Sequence, residues 1–524
     1  MKYPIGIQDF ATLRTEGFVY VDKTDLVYAL AERHICFLCR PRRFGKSLLV
    51  STLKYYFEGR RDLFEGLKIA DLEKEWIEHP VFHLAFSSGN YSDPATVGRI
   101  IEERLKGWEL RYGRNPDSDL LSRRFAYVLH QAHQQTGRKA VVLIDEYDKP
   151  ILDVLDTPFE NVVQGGQVRV EEYNRSVLRD FYSVFKDADP DLRFVLLTGV
   201  TKFSQVSVFS GFNQPKDITM MADFDALCGI TEEEIDAYFF EGLRRMAESY
   251  RLTDEAMRAR LKRKYDGYHF SKALRDIYNP FSLLNALDES DLKDFWMATG
   301  TPSYLVRLIG SHPIRIEEEL GKNFDLTYFA DYKGDIERPI PMLYQSGYLT
   351  IRSYDMDTET YRLDFPNEEV RKGFVGLLAE HYFRTDSVGA WIRDLHRMLN
   401  EGRVDDMMSS FTAFLAGIDY VADRQRPDFE SHFQYTFFLI MRMLTNYTVL
   451  LEKHSSRGRA DVVVETPAYV YIMEFKLDGS ADAALAQIET AGYAEPYAAD
   501  PRRIIRLGIN ISSATRTVAE WRQA

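Results

Sequence analysis

The chain has 524 residues, of which 45% are hydrophobic and 28% charged, and its 66 Lys and Arg against 80 Asp and Glu give a net charge of −14. This balance excludes a disordered, collagen-like or disulfide-scaffold protein, and it excludes a polycation that coats nucleic acid wholesale. A local basic cleft stays open, because affinity for nucleic acid depends on charges near the phosphates.

At roughly 150 residues per domain, the length predicts about three or four domains. The three cysteines, Cys36, Cys39 and Cys228, are too few for a disulfide framework and point to a reducing compartment. No run of about 18 apolar residues occurs, and MKYPIGIQDF lacks the long apolar core of a secretory signal. The expectation is a soluble, cytoplasmic protein with no membrane partner.

From Ile35, ICFLC is an unbroken apolar run and reads as a buried strand. Cys36 and Cys39 have C-x-x-C spacing, but a redox pair would sit in a loop opening a helix, where its thiolate is stabilised. RPRRFGKS follows. Leu48, Leu49, Leu53, Tyr56 and Phe57 then recur at helical spacing. Strand, loop ending in Gly-Lys-Ser, and helix is the setting of a phosphate-binding loop. Backbone N–H groups at such a helix start present partial positive charge to phosphates, and Gly45 lets the backbone come close. Lys46 would place its charge on the β- and γ-phosphates, and Ser47 would ligate Mg²⁺. The predicted phosphate-binding set is Arg43, Gly45, Lys46, Ser47 and Leu48. Arg40 stands where the usual G-x-x-x-x-G-K-[S/T] pattern has its first glycine; Pro41 can supply the turn, and Arg40, Arg42 and Arg43 add charge. Gly-Lys-Ser alone also fits a helix start with a capping serine.

KAVVLIDEYDKPI holds an apolar strand, Ala140 to Ile144, that ends in Asp145 and Glu146. A carboxylate at the C-terminal edge of a parallel strand can bind Mg²⁺, the role expected of Asp145. Glu146 can orient or deprotonate the attacking water. An exposed acidic loop is the alternative. A third strand, LRFVLLTGV, ends near Thr198, which could sense the γ-phosphate between the other two strands; a capping or turn role fits Thr198 as well.

The segments PIGIQDF, FVYVDKTDLVYAL, RPRRFGKSLL, LIDEYDKPI, LTGVTKFS and YNPFSLLNAL, in that order, resemble the bacterial AAA-ATPase-like family, whose members often carry a C-terminal nuclease-like domain. Arg in place of the first glycine is usual in that family. The resemblance implies ATP and Mg²⁺ binding, with Lys46 and Ser47 on phosphate and metal and Asp145 and Glu146 as the second acidic motif. Asp22 and Lys23 match the family's YVDKT segment, with no role that the sequence defines. Self-association into a homo-oligomer is compatible with the resemblance, although no interface is legible.

From Thr231 the pattern turns helical. TEEEIDAYFFEGLRRMAESY opens with a capping-box threonine and acidic residues at the positive helix end. KYDGYHFS and IYNPFSLLNAL complete a small helical lid. Tyr268, His269 and Phe270 could touch a nucleotide base or form a packed turn. PMLYQSGYLTI and YRLDFPNEEV resemble a winged-helix element. Its charge is mixed, with Asp325, Asp331, Asp335 and Glu337 near Lys333 and Arg338, which favours a protein-facing connector over a DNA reader.

The last 140 or so residues change character. Helical VGAWIRDLHRMLNEGRVDDMMSSFTAFLAGI and SHFQYTFFLIMRML are followed by strands TVLLEK, RADVVVET and YVYIMEFK, the helical run SADAALAQIETAGYAEPYA and the strand IIRLGINIS. This αβββαβ order is that of the PD-(D/E)xK nucleases. Glu474 and Lys476 are two apart on a strand and share a face. A hairpin can bring Asp461 to that face. Two carboxylates can hold a divalent cation, Mg²⁺ or Mn²⁺, that polarises a phosphate and acidifies bound water, while Lys476 positions that water or stabilises developing charge. A solvated hairpin with an ordinary Glu–Lys pair is the plain alternative. From about Gly402 to Ser512 the chain resembles the nuclease-superfamily domain attached to this ATPase family. That resemblance assigns Asp461, Glu474 and Lys476 to the catalytic set, with Asp461 and Glu474 on metal. It adds Glu430 and Gln487 as candidates, and Arg457, Arg459, Arg502, Arg503 and Arg506 could line a phosphate cleft.

The expected fold class is α/β, with a P-loop core over 1–223, a lid over 224–300, a winged-helix-like connector over 301–384 and a restriction-endonuclease-like domain over 385–524. The expected function is an ATP-binding protein, an ATPase, coupled to a metal-dependent nuclease acting on DNA or RNA. The alternative is a nucleotide-dependent signalling switch whose nuclease-like domain is an inactive binding module.

Overall fold

The structure is a computed structural model that describes residues 2–155, 160–163, 166–203, 215–299, 305, 320, 322–330, 338–383, 388–416, 448–455, 458–515 and 517–524. The chain divides into two compact units, Met1–Val370 and Arg371–Ala524. The predicted lid, and the connector as far as 370, fall in the first.

The first unit is built on β1 (Ile35–Cys39), β2 (Val81–Ala85), β3 (Ala140–Asp145), β6 (Leu192–Gly199) and the short β7 (Lys216–Asp217), with a separate hairpin of β4 (Glu160–Val163) and β5 (Gly166–Arg169). The five strands form one parallel sheet in the order β2-β3-β6-β1-β7. Every residue of β1 and β3 is buried, as apolar parallel strands are when helices cover both faces. Cys36 and Cys39 lie in β1 as free thiols. Burial pushes the Cys36 thiol up to about 12, which suits a core residue and not a redox pair. The register sets Cys39 beside Gly199 and Ala85 beside Asp145, so the loops after β1, β3 and β6 open at one sheet edge. Strand β6 lies between β1 and β3, the placement expected for the strand that ends near Thr198.

Helices Glu232–Tyr238, Phe240–Tyr250, Asp254–Tyr265 and Pro280–Glu289 follow. Thr231 and Glu234 form the predicted capping box. Glu234 also takes an ion pair from Lys23 at 2.7 Å. Asp22 accepts from the Thr24 hydroxyl at 2.6 Å and from the Lys68 N–H at 2.8 Å. The YVDKT segment therefore ties the start of helix Thr24–Ala31 and Lys68 to the lid. Tyr268, His269 and Phe270 are packed against protein: the rings of Tyr268 and Phe270 lie 4.8 and 5.5 Å from Phe44, Tyr268 bridges Ile277, and the His269 N–H donates to the Thr350 hydroxyl at 2.7 Å.

The connector contains helix Pro339–Gln345 and a three-stranded antiparallel sheet of β8 (Asn323–Phe324), β10 (Thr360–Asp364) and β9 (Thr350–Asp355). It faces protein. Gln345 accepts from the Lys202 N–H, just beyond β6, at 2.8 Å.

The second unit has helices Val388–Glu401 and Val404–Ala416 and a five-stranded sheet of β11 (Thr448–Ser455), β12 (Gly458–Glu465), β13 (Tyr469–Leu477), β14 (Arg503–Ser512) and β15 (Thr517–Gln523) in chain order. Only β13 and β14 are parallel, and helix Ala481–Thr490 makes the crossover between them. The predicted helix SHFQYTFFLIMRML and Glu430 lie outside the described residues. Strand β15 extends the predicted order. It buries only Val518, so its apolar signal is weak.

Candidate functional site

The loop after β1 ends at Gly45, the N-cap of helix Lys46–Phe57, with φ +87. That left-handed conformation is open to glycine and strained for other residues. Lys46 is buried, and its ammonium donates to the carbonyls of Arg40 and Pro41 at 2.9 and 3.0 Å. Arg43 is exposed, with its guanidinium 5.1 Å from the Phe281 ring.

Arg40 corrects the expectation that it adds charge for phosphates. It is 1% exposed and turns inward. Its guanidinium donates to the carbonyls of Cys39, Thr219 and Phe224 at 2.9, 2.7 and 3.1 Å and lies 4.1 Å from the Phe270 ring. The residue at the first-glycine position thus fastens the loop to the lid.

At the end of β3, Asp145 is buried; its Oδ1 accepts from the Thr198 hydroxyl at 2.5 Å and from the Glu146 N–H at 3.1 Å. Thr198 is wholly buried and orients Asp145. Glu146 has φ +55, an unusual conformation for a non-glycine residue. Burial and then the charge of Asp145 push its carboxyl above the usual range, against the opposing pull of Lys46. Asp148, which the sequence reading passed over, accepts from the N–H groups of Val200 and Thr201 at 2.9 and 2.6 Å and so pins the end of β6 to the acidic loop. Its signal was an aspartate three residues after Asp145, which in sequence looks like more of an exposed acidic loop.

A cavity of about 450 Å³ opens at this edge. Arg43, Gly45, Lys46, Ser47 and Leu48 of the phosphate loop and Glu146 of the acidic loop line it. Ile5 and Ile7 of the N-terminal segment and Phe281, Leu284 and Asn285 of the lid also line it. The sequence did not pair these two segments, because residues so far apart carry no local pattern that joins them.

In the second unit the β12–β13 ladder runs to Val462 opposite Met473. Beyond it, Asp461 Oδ2 accepts from the Phe475 N–H at 2.9 Å, which sets Asp461 against the strand carrying Glu474. Glu474 is 2% exposed. Its Oε1 takes a contact from Lys476 Nζ at 3.4 Å, and its Oε2 is buried with no hydrogen-bond partner. Burial, then repulsion from Asp461, pushes the Glu474 carboxyl up to about 7, with Lys476 acting the other way. Lys476 Nζ also donates to Gln487 Oε1 at 2.6 Å, and the Gln487 amide N–H reaches the Tyr493 hydroxyl at 3.4 Å. Gly508 is opposite Glu474 in the register. A Cβ there would come within 2.2 Å of the Ala481 carbonyl, so glycine is what lets the helix carrying Gln487 lie on the sheet.

The structure therefore gathers Asp461, Glu474, Lys476 and Gln487. Two of the candidate arginines are placed elsewhere. Arg502 is paired with Asp500 and Glu465 at 2.6 and 3.0 Å, and Arg503 is in register with Tyr469, at the far end of β13 from Glu474. Arg457 and the side chain of Arg459 lie outside the described residues. Among the described residues no group of three or more His, Cys, Asp or Glu is placed to hold a metal. The pair Asp461 and Glu474 still fits a hard divalent cation: a buried carboxylate oxygen without a partner beside a second carboxylate is a costly arrangement that a cation relieves.

A parallel sheet with a phosphate-loop strand, an acidic strand and a third strand between the two defines a P-loop nucleotide-binding fold. The mixed sheet with its acid pair and lysine defines a nuclease-superfamily fold. Residues 4–209 match the family described as predicted AAA-ATPase, AAA-ATPase-like, and residues 428–521 match the PD-(D/E)XK nuclease superfamily. The chain is 35% identical over 529 residues to an uncharacterized protein in the vnfD 5′ region of Azotobacter chroococcum mcd 1, an alignment covering 99% of this chain and 98% of that protein. The chain belongs to this family of AAA-ATPase-like proteins with a PD-(D/E)XK nuclease-superfamily domain. Among its described residues no helix is long and apolar enough to cross a membrane.

Proposed function

We propose that the first unit binds and hydrolyses ATP with Mg²⁺, and that the second unit cleaves phosphodiesters of DNA or RNA with Mg²⁺ or Mn²⁺ under control of the first. The observation that carries this reading is that each unit holds an incomplete polar centre suited to phosphate chemistry. One is a cavity flanked by Lys46, Ser47 and Glu146; the other is an acid pair with an unpartnered buried oxygen on Glu474.

In the first centre Lys46 exchanges its two carbonyl partners for phosphate oxygens, and the backbone from Arg43 to Leu48 cradles the chain of phosphates. Ser47 and Asp145 hold Mg²⁺, and Thr198 keeps Asp145 aimed. Glu146, with its carboxyl raised by burial, takes a proton from the attacking water or orients it.

In the second centre Asp461 and Glu474 hold the cation, with Glu430 as a further candidate ligand. A bound divalent cation supplies charge at the scissile phosphate and a water of lowered pKa. Lys476, held by Gln487, is placed to stabilise negative charge as it develops. The three cysteines, all free and buried, support a reducing compartment such as the cytoplasm.

The nucleotide half is tested with Lys46→Ala. The variant should keep its circular dichroism spectrum and lose binding of a fluorescent ATP analogue. Unchanged nucleotide affinity in the variant would overturn the assignment of this loop.

A further inference from the structure

We infer that Trp296 and Glu369 are a pair of positioning residues that hold the phosphate loop from the lid, and that through them the occupancy of the loop reaches the start of helix Glu368–Phe383. The inference rests on the reading of this loop as a nucleotide site and goes on to name how its occupancy is passed on.

Three successive carbonyls at the head of the loop accept from side chains. Those of Arg40 and Pro41 take the Lys46 ammonium at 2.9 and 3.0 Å, and that of Arg42 takes the Trp296 indole N–H at 3.1 Å. The next residue, Arg43, has φ +70. That left-handed conformation is uncommon outside glycine and persists only where the surroundings hold it. The Trp296 bond grips the peptide that joins Arg42 to Arg43, so the lid holds the loop at its strained point. When phosphate oxygens draw Lys46 away, two of these three bonds break and the one to Trp296 remains.

Trp296 is held in turn. Glu369 is 1% exposed, and its Oε1 accepts from the Trp296 backbone N–H and its Oε2 from the Ser282 hydroxyl, each at 2.7 Å. Ser282 belongs to helix Pro280–Glu289, whose Phe281, Leu284 and Asn285 line the cavity. One carboxylate therefore fastens two elements of the lid. Its chain neighbours add to this: the Asn367 amide donates to the Asp266 carbonyl at 3.0 Å, and Arg263 pairs with Glu368 at 2.7 Å. Val370 closes the first unit, and the helix that holds Glu369 runs on to Phe383. A shift of the loop thus arrives, through the indole and backbone N–H groups of one residue, at the last residues of the first unit. Contiguous hydrogen-bonded elements of this kind can carry coupling between sites.

The test compares the full wild-type chain with Trp296→Phe, which keeps a ring against Tyr348 and removes the indole N–H. Hydrogen exchange over residues 367–376 is read by mass spectrometry with and without a saturating non-hydrolysable ATP analogue and Mg²⁺. In the wild-type chain the analogue should slow this exchange about threefold or more, because opening there also disturbs the occupied loop. Trp296→Phe should bind the analogue about three- to tenfold more weakly, as expected for one lost hydrogen bond. Once saturated, it should show no slowing over 367–376 and keep the slowing in helix Lys46–Phe57. Glu369→Gln, whose neutral amide holds Trp296 more weakly, should lose about half of the slowing. No slowing over 367–376 in a wild-type chain that binds the analogue would overturn the inference with no variant needed. Unchanged affinity in Trp296→Phe, or slowing that survives that substitution, would also overturn it. Complete loss of binding by a folded Trp296→Phe chain would place Trp296 in the site itself and overturn its positioning role, and full slowing in Glu369→Gln would remove Glu369 from the pair. Failure of the wild-type chain to bind the analogue would instead sink the nucleotide-site reading, and this inference with it.

Discussion

The Thr198 hydroxyl donates to Asp145 Oδ1 at 2.5 Å, across the adjacent strands β6 and β3. The bond fixes the direction of a buried carboxylate at the edge where the phosphate loop opens. Thr198→Val keeps the shape and removes the donor. Leaving a buried acceptor short of a partner costs about 1–3 kcal/mol, so the melting temperature should fall. ATP turnover should fall about tenfold or more, with nucleotide affinity within a few-fold of wild type, because Lys46 and the loop backbone are untouched. Steady-state ATPase kinetics beside nucleotide titration check this. Unchanged turnover would show that the orientation of Asp145 does not matter.

Arg40 offers a test of a different kind. Restoring the first glycine of the usual phosphate-loop pattern with Arg40→Gly should harm the protein. The guanidinium satisfies three carbonyls and covers Phe270. Its removal leaves a void and unpaired acceptors, at a cost of about 2–4 kcal/mol. Urea unfolding should show a lower midpoint with a similar slope. A variant as stable as wild type would show that Arg40 is not the fastening described.

Glu474 should separate stability from binding. Its charge is buried beside Asp461. Glu474→Gln removes the repulsion, and the metal-free chain should gain stability at neutral pH and above, at no more than about 1.4 kcal/mol for each pKa unit of the shift. The same change should abolish Mn²⁺ binding by calorimetry. In the wild-type chain Mn²⁺ affinity should weaken as pH falls below about 7, because protons then compete for Glu474. A Glu474→Gln variant that binds Mn²⁺ as tightly as wild type would remove Glu474 from the metal site.

Glu369 predicts a pH dependence of stability. It is buried, with Oε1 accepting from the Trp296 N–H and Oε2 from the Ser282 hydroxyl, each at 2.7 Å. Burial pushes its carboxyl up to about 7, while an unfolded glutamate titrates near 4.3. Between these values the folded chain holds more protons. The contribution is therefore fully present below about pH 4 and is lost as pH rises through about 7, at no more than about 1.4 kcal/mol per pH unit. Glu369→Gln keeps an acceptor for Trp296, and the Ser282 hydroxyl can turn to accept. Stability curves of wild type and variant should diverge across this window in favour of the variant. Parallel curves would refute the shift.

The parts of this architecture that were legible in sequence are those written in short-range patterns. ICFLC, AVVLI and YVYIMEF are apolar runs whose ends carry the chemistry, and the spacing of Glu474 and Lys476 follows from the strand period of two. Gln487 was a candidate only through the family resemblance, because no local pattern ties a helix side chain to the strand lysine it meets. Arg40 was misread because an arginine in a loop ordinarily faces water, and only the lid brings the three carbonyls and the ring that bury it. The lining of the cavity joins Ile5 to Phe281 and Asn285 through tertiary packing alone. Strand β15 is a nearly exposed edge, and such strands have little apolar alternation to detect.

The central claim is that the acid pair in the second unit cuts nucleic acid and that the nucleotide in the first unit controls it. The direct measurement is cleavage of labelled single- and double-stranded DNA and RNA in Mg²⁺ or Mn²⁺, with and without ATP, beside a Glu474→Ala, Lys476→Ala chain. Cleavage by the wild-type chain that responds to ATP and vanishes in the double variant is the predicted result. No cleavage of any substrate by a chain that binds ATP would contradict it, and would leave a nucleotide-dependent switch whose nuclease-like domain only binds.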